Sequence, residues 1–427
     1  MDYQEAIRRL ESLIDYERTP AAASAARVWN LDRIAHMLQA VGNPHAGIKF
    51  LHIAGTRGKG STAAITASIL TSAGYRTGLY TSPHLQSFRE RIRVDGQMIS
   101  EAELASLVAE VEPIIEEMNK SDIGAPSFFD VYTFLGLMHF ARRKVDFAIL
   151  EPGLGGRLDA TNVVTPIACA ITRIGLDHME ELGDTLTQVA GEKAGIIKPG
   201  VPVVSSPQPA EAMEVLERVC RERGSRLVAA PIVSIIQADE FGQRLRVGEL
   251  DLECPLLGAH QAENVAVAIG LIALLREQGF SVTQEAITKG VRSVRWPGRF
   301  QIVRRNPHVV LDGAHDETGA KALVVTMESL FPGRRVILVF GMVRGHDMEA
   351  VVRQLGPLAD KVYVTAASSP RAVDPSVLYR IAGGEIRIPV SIAVEEAVRE
   401  AGAEDIVLIT GSLYVVGEAM TALGISA

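Results

Sequence analysis

The sequence predicts an α/β protein built from two α/β domains in series. A strand, a glycine-rich turn, a helix and a second strand follow one another at residues 49–82, the order of a βαβ unit. The segment Trp296-Pro297-Gly298 interrupts the pattern, because a helix cannot continue through it. Strands and helices then alternate again to residue 427. We therefore expect domains at residues 1–296 and 297–427.

Local sequence patterns predict the helices and strands of the first domain. Residues 1 to about 48 have amphipathic helical spacing, and apolar runs indicate buried strands. Capping boxes at Ser100/Glu103 and Ser127/Asp130 each begin a helix. The expected strands are Lys49–Gly55, Tyr75–Ser82, Val145–Glu151 and Thr165–Gly175. The other expected helices are Ser61–Tyr75, Leu186–Lys198 and Gly258–Gly279. Residues 201 to about 257 are expected to add a small β-sheet rather than more doubly wound structure.

The second domain repeats a simpler pattern. The strand segments HVVLDGAH, RVILVFGMV, KVYVTAA and DIVLITG are each followed by a helical segment. This alternation predicts mostly parallel strands covered by helices.

Bulk properties exclude several classes of protein. The 427 residues carry a net charge of −8 with a pI near 5.8, which argues against a broad nucleic-acid surface. The N-terminus lacks the apolar core of a signal peptide, and no apolar run is long enough to span a bilayer. Three widely spaced cysteines match no zinc pattern and suit a reducing compartment, each as a small core residue. We expect a cytoplasmic protein without nucleic-acid or membrane partners.

The segment GTRGKGST lies where a strand turns into a helix. Glycines allow the backbone to wrap around an anion, and the helix N-terminus supplies N–H donors. Lys59 can reach the β/γ-phosphates of a nucleotide, while Ser61 or Thr62 can hold magnesium. This variant of a P-loop predicts nucleotide contacts from Gly55, Thr56, Gly58, Lys59, Gly60, Ser61 and Thr62. The alternative is a glycine-rich turn with no ligand.

Polar residues follow three further expected strands. Glu151 ends a buried strand, His178 follows another, and Ser82 follows a third. Ligands of α/β sheets bind at this edge, and an isolated buried carboxylate is costly unless it is paired or metal-bound. These residues could hold magnesium beside phosphate oxygens, although histidine is an unusual magnesium ligand. Each alone could equally be a capped strand or a satisfied core residue.

Several segments carry a family resemblance in their order and spacing. They are GTRGKGST, TSPHLQSFRERI, EPGLGGRLDATN, IGLDHMEELGDTLTQVAGEKAGIIKPG, GAHQAENVAVA, WPGRFQ, LDGAH and ITGSLYVVGE. Across nearly the whole chain they resemble the folylpolyglutamate synthase/dihydrofolate synthase family of the Mur ligase superfamily. The glycine loop alone indicates only the superfamily, whereas TSPHLQSFRERI and EPGLGGRLDATN point to the folate branch.

The resemblance implies a fold and a reaction. The expected fold is a P-loop-type nucleotide-binding N-terminal domain with a small added β-sheet, followed by a Rossmann-like C-terminal Mur ligase domain. The expected enzyme is a monomer that uses ATP and Mg²⁺ to join L-glutamate to a folate. Dihydropteroate is a second expected acceptor, and an acyl phosphate is the expected intermediate.

The resemblance also implies roles for single residues. Ser61, Ser82, Glu151 and His178 would serve magnesium, and Lys193 would carry a carbamate that adds an anionic ligand. Asn264, Arg299 and Asp312 would contact the nucleotide, while His315 and Ser412 would be needed for activity. Asp159 would contact the pterin beside the aromatic pair Phe128 and Phe129.

Plainer roles stay open for some of these residues. Lys193 could pair with its surroundings or bind phosphate, and Arg299 could form an interdomain ion pair. Asp159 could shape a turn, and the two phenylalanines could be core residues.

Five residues depart from the family pattern. Arg57 stands where Asn is common, Pro152 where Val is usual and Asp130 where Glu is usual, and Asp316-Glu317 stand where Asn-Pro normally follows. Two other functions remain as alternatives: a Mur-type ligase for a different carboxylate acceptor, and a regulatory protein that hydrolyses ATP without ligation.

Overall fold

The first domain is built around an eight-stranded sheet. The computed structural model describes residues 1–13 and 30–427. The strands of this sheet are β1 (Lys49–Ala54), β2 (Thr77–Tyr80), β3 (Ile92–Val94), β4 (Gln97–Met98), β5 (Phe147–Leu150), β6 (Pro166–Ile171), β7 (Val203–Ser205) and β8 (Leu227–Ala229). Their order is β4-β3-β2-β5-β1-β6-β7-β8, and only the pairings of β3 and β4 are antiparallel. The carboxyl ends of the parallel strands β1, β2, β5 and β6 therefore lie at one edge of the sheet.

Helices cover both faces of this sheet. They are α1 (Tyr3–Glu11), α2 (Asp32–Ala40), α3 (Lys59–Ser72), α4 (Glu101–Met118), α5 (Phe128–Arg142), α6 (Met179–Leu182), α7 (Leu186–Ala194), α8 (Ala210–Glu222), α9 (Ala259–Glu277) and α10 (Gln284–Ser293). Helices α3, α9 and α10 share one apolar core with β1, and α4 and α5 share a second on the opposite face. Both expected capping boxes are present, at Ser100 and Ser127.

Two expectations for this domain were wrong in part. Residues 201–229 continue the parallel sheet through β7, α8 and β8, because AEAMEVLERVCRE forms an amphipathic helix that buries Val215 and Leu216. The small added sheet is confined to β9 (Val233–Asp239), β10 (Gly242–Val247) and β11 (Leu250–Cys254). Helix α7 also ends four residues early, where the Asn162 amide donates to the Gly195 carbonyl. Part of the expected N-terminal helical segment lies outside the described residues.

The residues after the Trp296-Pro297-Gly298 segment form a six-stranded sheet. Its strands are β12 (Gln301–Arg305), β13 (His308–Leu311), β14 (Val336–Phe340), β15 (Lys361–Val364), β16 (Glu385–Ile386) and β17 (Ile406–Thr410). Its helices are α11 (Glu317–Leu330), α12 (Met348–Leu355), α13 (Pro375–Ala382), α14 (Val390–Glu400) and α15 (Leu413–Ala422). The order is β12-β13-β17-β14-β15-β16, and only β12 runs antiparallel.

The two halves meet at several places among the described residues. The Arg57 guanidinium pairs with Asp316, and the backbone of Leu85 packs against Gly417 of α15. The β9–β10 turn also reaches the second sheet, where Glu240 pairs with Arg305. No helix within the described ranges is long and apolar enough to cross a bilayer.

Candidate active site

The phosphate-type loop connects β1 to α3 at the centre of the first sheet. Gly58 adopts φ +87° as the residue before α3, and no side chain caps the first N–H groups of that helix. The Thr56 hydroxyl donates to the Gly175 carbonyl at 2.9 Å, which ties the loop to the segment after β6. Lys59 Nζ lies 4.0 Å from Glu151 Oε1. The loop therefore presents the N-terminus of a helix and a cation beside a carboxylate.

Glu151 is a buried carboxylate with few partners. It follows β5, and its Oε2 accepts a long hydrogen bond of 3.4 Å from the Ser82 backbone N–H. Burial raises the pKa of Glu151, and nearby Lys59 opposes the rise. A second positive charge at this position would stabilise the ionised form.

Ser61 and Thr62 occupy the first turn of α3, and both are buried. The Thr62 hydroxyl has no hydrogen-bond partner among the described residues. Ser61, Ser82 and Glu151 therefore bring hydroxyl and carboxylate oxygens to one edge of the sheet. These are the ligand types that magnesium prefers.

A second group of polar residues follows β6. His178 adopts φ +48°, and its Nε2 lies 3.8 Å from Asp177 Oδ1. Burial opposes ionisation of Asp177, but basic side chains around it lower its pKa below the ordinary value. These side chains belong to His178, His315, Lys59 and Lys193.

Lys193 of α7 lies beside this group with only 3% of its surface exposed. Burial, and after it the charge of Lys59, lowers its pKa to about 7. No described residue forms a hydrogen bond or ion pair with its amine, because Arg157 occupies Glu192 with bonds of 3.0 and 2.9 Å. The described contacts therefore give no support to the alternative that Lys193 forms an ion pair.

The second domain contributes the carboxyl edge of its own sheet. His315 follows β13 and its ring lies 4.7 Å from that of His346, which in turn lies 6.5 Å from the ring of His178. The His315 Nδ1 lies 2.8 Å from the Gly313 carbonyl, which fixes the ring on its own loop. The two sheet edges thus face each other through histidines.

Asp312 and Arg299 lie on the second domain's side of the linker. The Asp312 carboxylate accepts bonds of 2.8 Å from the backbone N–H groups of Phe300 and Ala314, and so fixes the linker on β13. Arg299 forms no ion pair with a described acidic residue, which leaves its interdomain ion-pair alternative unsupported. Asn264 of α9 lies directly against Gly58 of the loop.

Other candidates have structural contacts in the described structure. Phe128 is a core residue that stacks on Tyr132 at 5.3 Å, whereas half-buried Phe129 lies against Gly153. Asp159 accepts hydrogen bonds from its own loop, including the Gly153 N–H at 2.8 Å, as the turn alternative expects. Ser412 caps α15 by accepting from Val415. Ligand contacts of these residues stay predictions.

Three neighbours of the site were missed from the sequence. Asp177, His346 and Trp296 all lie at it, and the Trp296 ring stands against Gly60. His346 follows β14, so the rule that parallel strands end at one edge could have found it. Nothing in the sequence indicates that the linker tryptophan reaches the loop.

Within the described part of the chain, no three His, Cys, Asp or Glu side chains form a metal-binding group by themselves. Magnesium commonly takes one or two carboxylates and completes its shell with substrate phosphates and water. The weakly bonded, buried Glu151 beside the loop fits a cation that arrives with a nucleotide.

Comparison with known proteins identifies the family. The Mur ligase middle domain matches residues 53–272, and the Mur ligase, glutamate ligase domain matches residues 298–413. The dihydrofolate synthase/folylpolyglutamate synthase of Bacillus subtilis is 36% identical over 406 residues, covering 91% of this chain and 93% of that protein. This chain belongs to the folylpolyglutamate synthase/dihydrofolate synthase family. The resemblance stated above is confirmed, and the chain is an ATP-dependent ligase.

Solved structures of the family confirm the fold. Folylpolyglutamate synthase from Thermotoga maritima has a TM-score of 0.85 and 36% identity, covering 99% of this chain and 96% of that one. Mycobacterium tuberculosis folylpolyglutamate synthase complexed with ADP has a TM-score of 0.89 and 30% identity, covering 99% and 98%. The expected two-domain Mur ligase architecture is confirmed.

Proposed function

We propose that this ligase joins L-glutamate to a folate, with dihydropteroate as a second acceptor, in the cytoplasm and as a monomer. One observation carries the proposal: Lys59 of the phosphate-type loop lies 4.0 Å from the buried Glu151 carboxylate at the edge that faces His315. The names of the relatives support the substrates. We retain domain limits at residues 1–296 and 297–427 as part of the proposal.

The first step activates the acceptor. A folate carboxylate oxygen forms a bond to the γ-phosphorus of ATP, the bond from that phosphorus to the β,γ-bridging oxygen breaks, and ADP leaves. Lys59 and the uncapped N–H groups of α3 stabilise charge on the transferred group. Bound magnesium would neutralise phosphate charge, held through Ser61, Ser82, Glu151 and His178.

The second step forms the amide. The neutral α-amine of glutamate attacks the acyl carbon, the bond to phosphate breaks, and the nitrogen loses a proton. We propose His315 and Ser412 as residues of the glutamate side, and Phe129, Phe128 and Asp159 as the folate side. Asn264, Arg299 and Asp312 are proposed to hold the nucleotide where the two domains meet.

Lys193 is proposed to carry a carbamate. Its pKa of about 7 supports this, because the neutral amine is the form that adds carbon dioxide. A bare ammonium near Lys59 would repel a metal ion, whereas a carbamate supplies an anionic oxygen.

A ligation assay tests the proposed function. ADP formation is measured with glutamate plus tetrahydrofolate or dihydropteroate, products are weighed by mass spectrometry, and a peptidoglycan-type carboxylate acceptor competes. Glutamyl-folate products with matching ADP would support the proposal. ADP release that ignores both glutamate and folate would contradict it and favour the regulatory ATPase, and ligation of the competing acceptor alone would favour a different Mur-type ligase.

A further inference from the structure

One ion pair crosses directly from the phosphate-type loop to the second domain. Arg57 Nη2 lies 2.7 Å from Asp316 Oδ1, and Arg57 Nε lies 3.2 Å from both carboxylate oxygens. The two side chains are only 27% and 21% exposed, so the pair is partly shielded from water. This forked, shielded geometry is stronger than that of a typical surface ion pair.

Each partner is fixed on its own domain. The Arg57 backbone N–H donates to the Arg173 carbonyl at 3.2 Å, and its guanidinium packs over Gly175. Asp316 caps α11 by accepting from the Gly319 N–H at 2.8 Å. The pair therefore connects the start of α11 to the loop residue that lies two positions before Lys59.

We propose that Arg57 and Asp316 are positioning residues that latch the second domain onto the phosphate-type loop, an inference that rests on the ligase reaction proposed above. The latch keeps the cleft closed while the acyl phosphate waits for glutamate, which limits its hydrolysis by water.

The chain offers a matched control pair. Glu240 and Arg305 also join the two domains, with Nε and Oε2 2.8 Å apart, but they connect the small added sheet to β12. The variants are Asp316→Asn, which removes the charge and keeps a good helix cap, Arg57→Met, their double variant, and Glu240→Gln.

Interdomain distance tests the latch without turnover. Spin labels are attached at Glu222→Cys and Glu328→Cys, both at exposed positions, since the three native cysteines are buried. With the analogue AMPPCP bound, Asp316→Asn and Arg57→Met should broaden the distance distribution relative to the unsubstituted labelled protein. Glu240→Gln should not broaden it in the same way. Unchanged distance distributions in both latch variants would overturn the proposal, whatever the ligation assay shows.

Turnover supplies the second readout. The ratio of ADP formed to amide formed should rise in both single variants, with kcat for ligation falling about tenfold and the KM for ATP changing less. The double variant should match the single variants, because the pair acts as a unit. Near-normal coupling in Asp316→Asn, which keeps its helix cap, would reject the proposal. A wild-type protein that ligates nothing would instead reject the proposed function.

Discussion

Lys59 is the residue on which the phosphate chemistry depends most directly. Lys59→Ala should nearly abolish turnover, because the side chain stabilises phosphoryl charge. The fold should stay intact, since the amine forms only long contacts with described residues, 3.5 Å to the Thr56 carbonyl and 4.0 Å to the Glu151 carboxylate. Ligation rate and thermal unfolding are measured together. Normal ligation in a folded variant would contradict the nucleotide assignment.

The variants Lys193→Ala and Lys193→Arg should both lose ligase activity. Arginine keeps a positive charge but provides no anionic oxygen, so it should not rescue activity. Short carboxylic acids added to Lys193→Ala should restore part of the ligation rate by supplying that oxygen. Wild-type activity in Lys193→Arg would reject the carbamate. So would electron density for a bare amine in a crystal of active protein grown with bicarbonate.

His52 makes the fold sensitive to acid. It is fully buried against Thr161, and burial lowers its pKa to about 3. An unfolded histidine titrates near pH 6.5, so the unfolded state binds more protons between these values and stability falls as the pH drops from about 6.5 towards 3. The slope of unfolding free energy against pH should be shallower in His52→Asn by up to ~1.4 kcal/mol per pH unit. Urea unfolding across this range measures it, and equal slopes would refute the effect.

Some site residues could be located from the sequence because their positions follow from the local pattern of strands and helices. Lys59 begins the helix that follows β1, and Glu151 directly follows β5, so position along the chain was enough. The Arg57–Asp316 contact was not predicted, because the two residues are 259 positions apart and meet only after both domains fold. His178 was placed at the edge correctly, but its partner His346 comes from the other sheet.

The loop before α3 should tolerate no side chain at Gly58. This glycine has φ +87°, and a methyl group there would come within 2.1 Å of the Asn264 amide oxygen. Gly58→Ala should therefore weaken AMPPCP binding at least tenfold. Gly74→Ala is the control, because Gly74 has φ +90° with nothing within 4 Å and shares only the backbone strain of about 1–2 kcal/mol. Calorimetric titration measures both, and equal affinities would contradict the close contact.

Elements with strong local signals were predicted well. The capping boxes at Ser100 and Ser127 gave the starts of α4 and α5 correctly. Residues 201–229 were misjudged because β7 and β8 are only three residues long, too short to show a period. Their identity as strands depends on the pairing of β7 with β6 and of β8 with β7, which is tertiary information.

Bound nucleotide should change the relative orientation of the two domains. Asp312 and Arg299 lie on the second domain's side of the linker, while Asn264 and Lys59 lie on the first domain. A nucleotide contacted from both sides should therefore draw the domains together. Small-angle scattering with and without ATP analogue and substrates should show a smaller radius of gyration when they are bound. Identical curves, with binding shown separately, would count against closure.

The linker tryptophan gives this protein a built-in fluorophore at its centre. The half-buried Trp296 indole packs against Gly60, so charge or motion in the loop should alter its emission. The sequence holds one other tryptophan, Trp29, which lies outside the described residues. Trp29→Phe would leave a single-tryptophan protein whose intrinsic emission could follow nucleotide arrival in a stopped-flow instrument, without any dye.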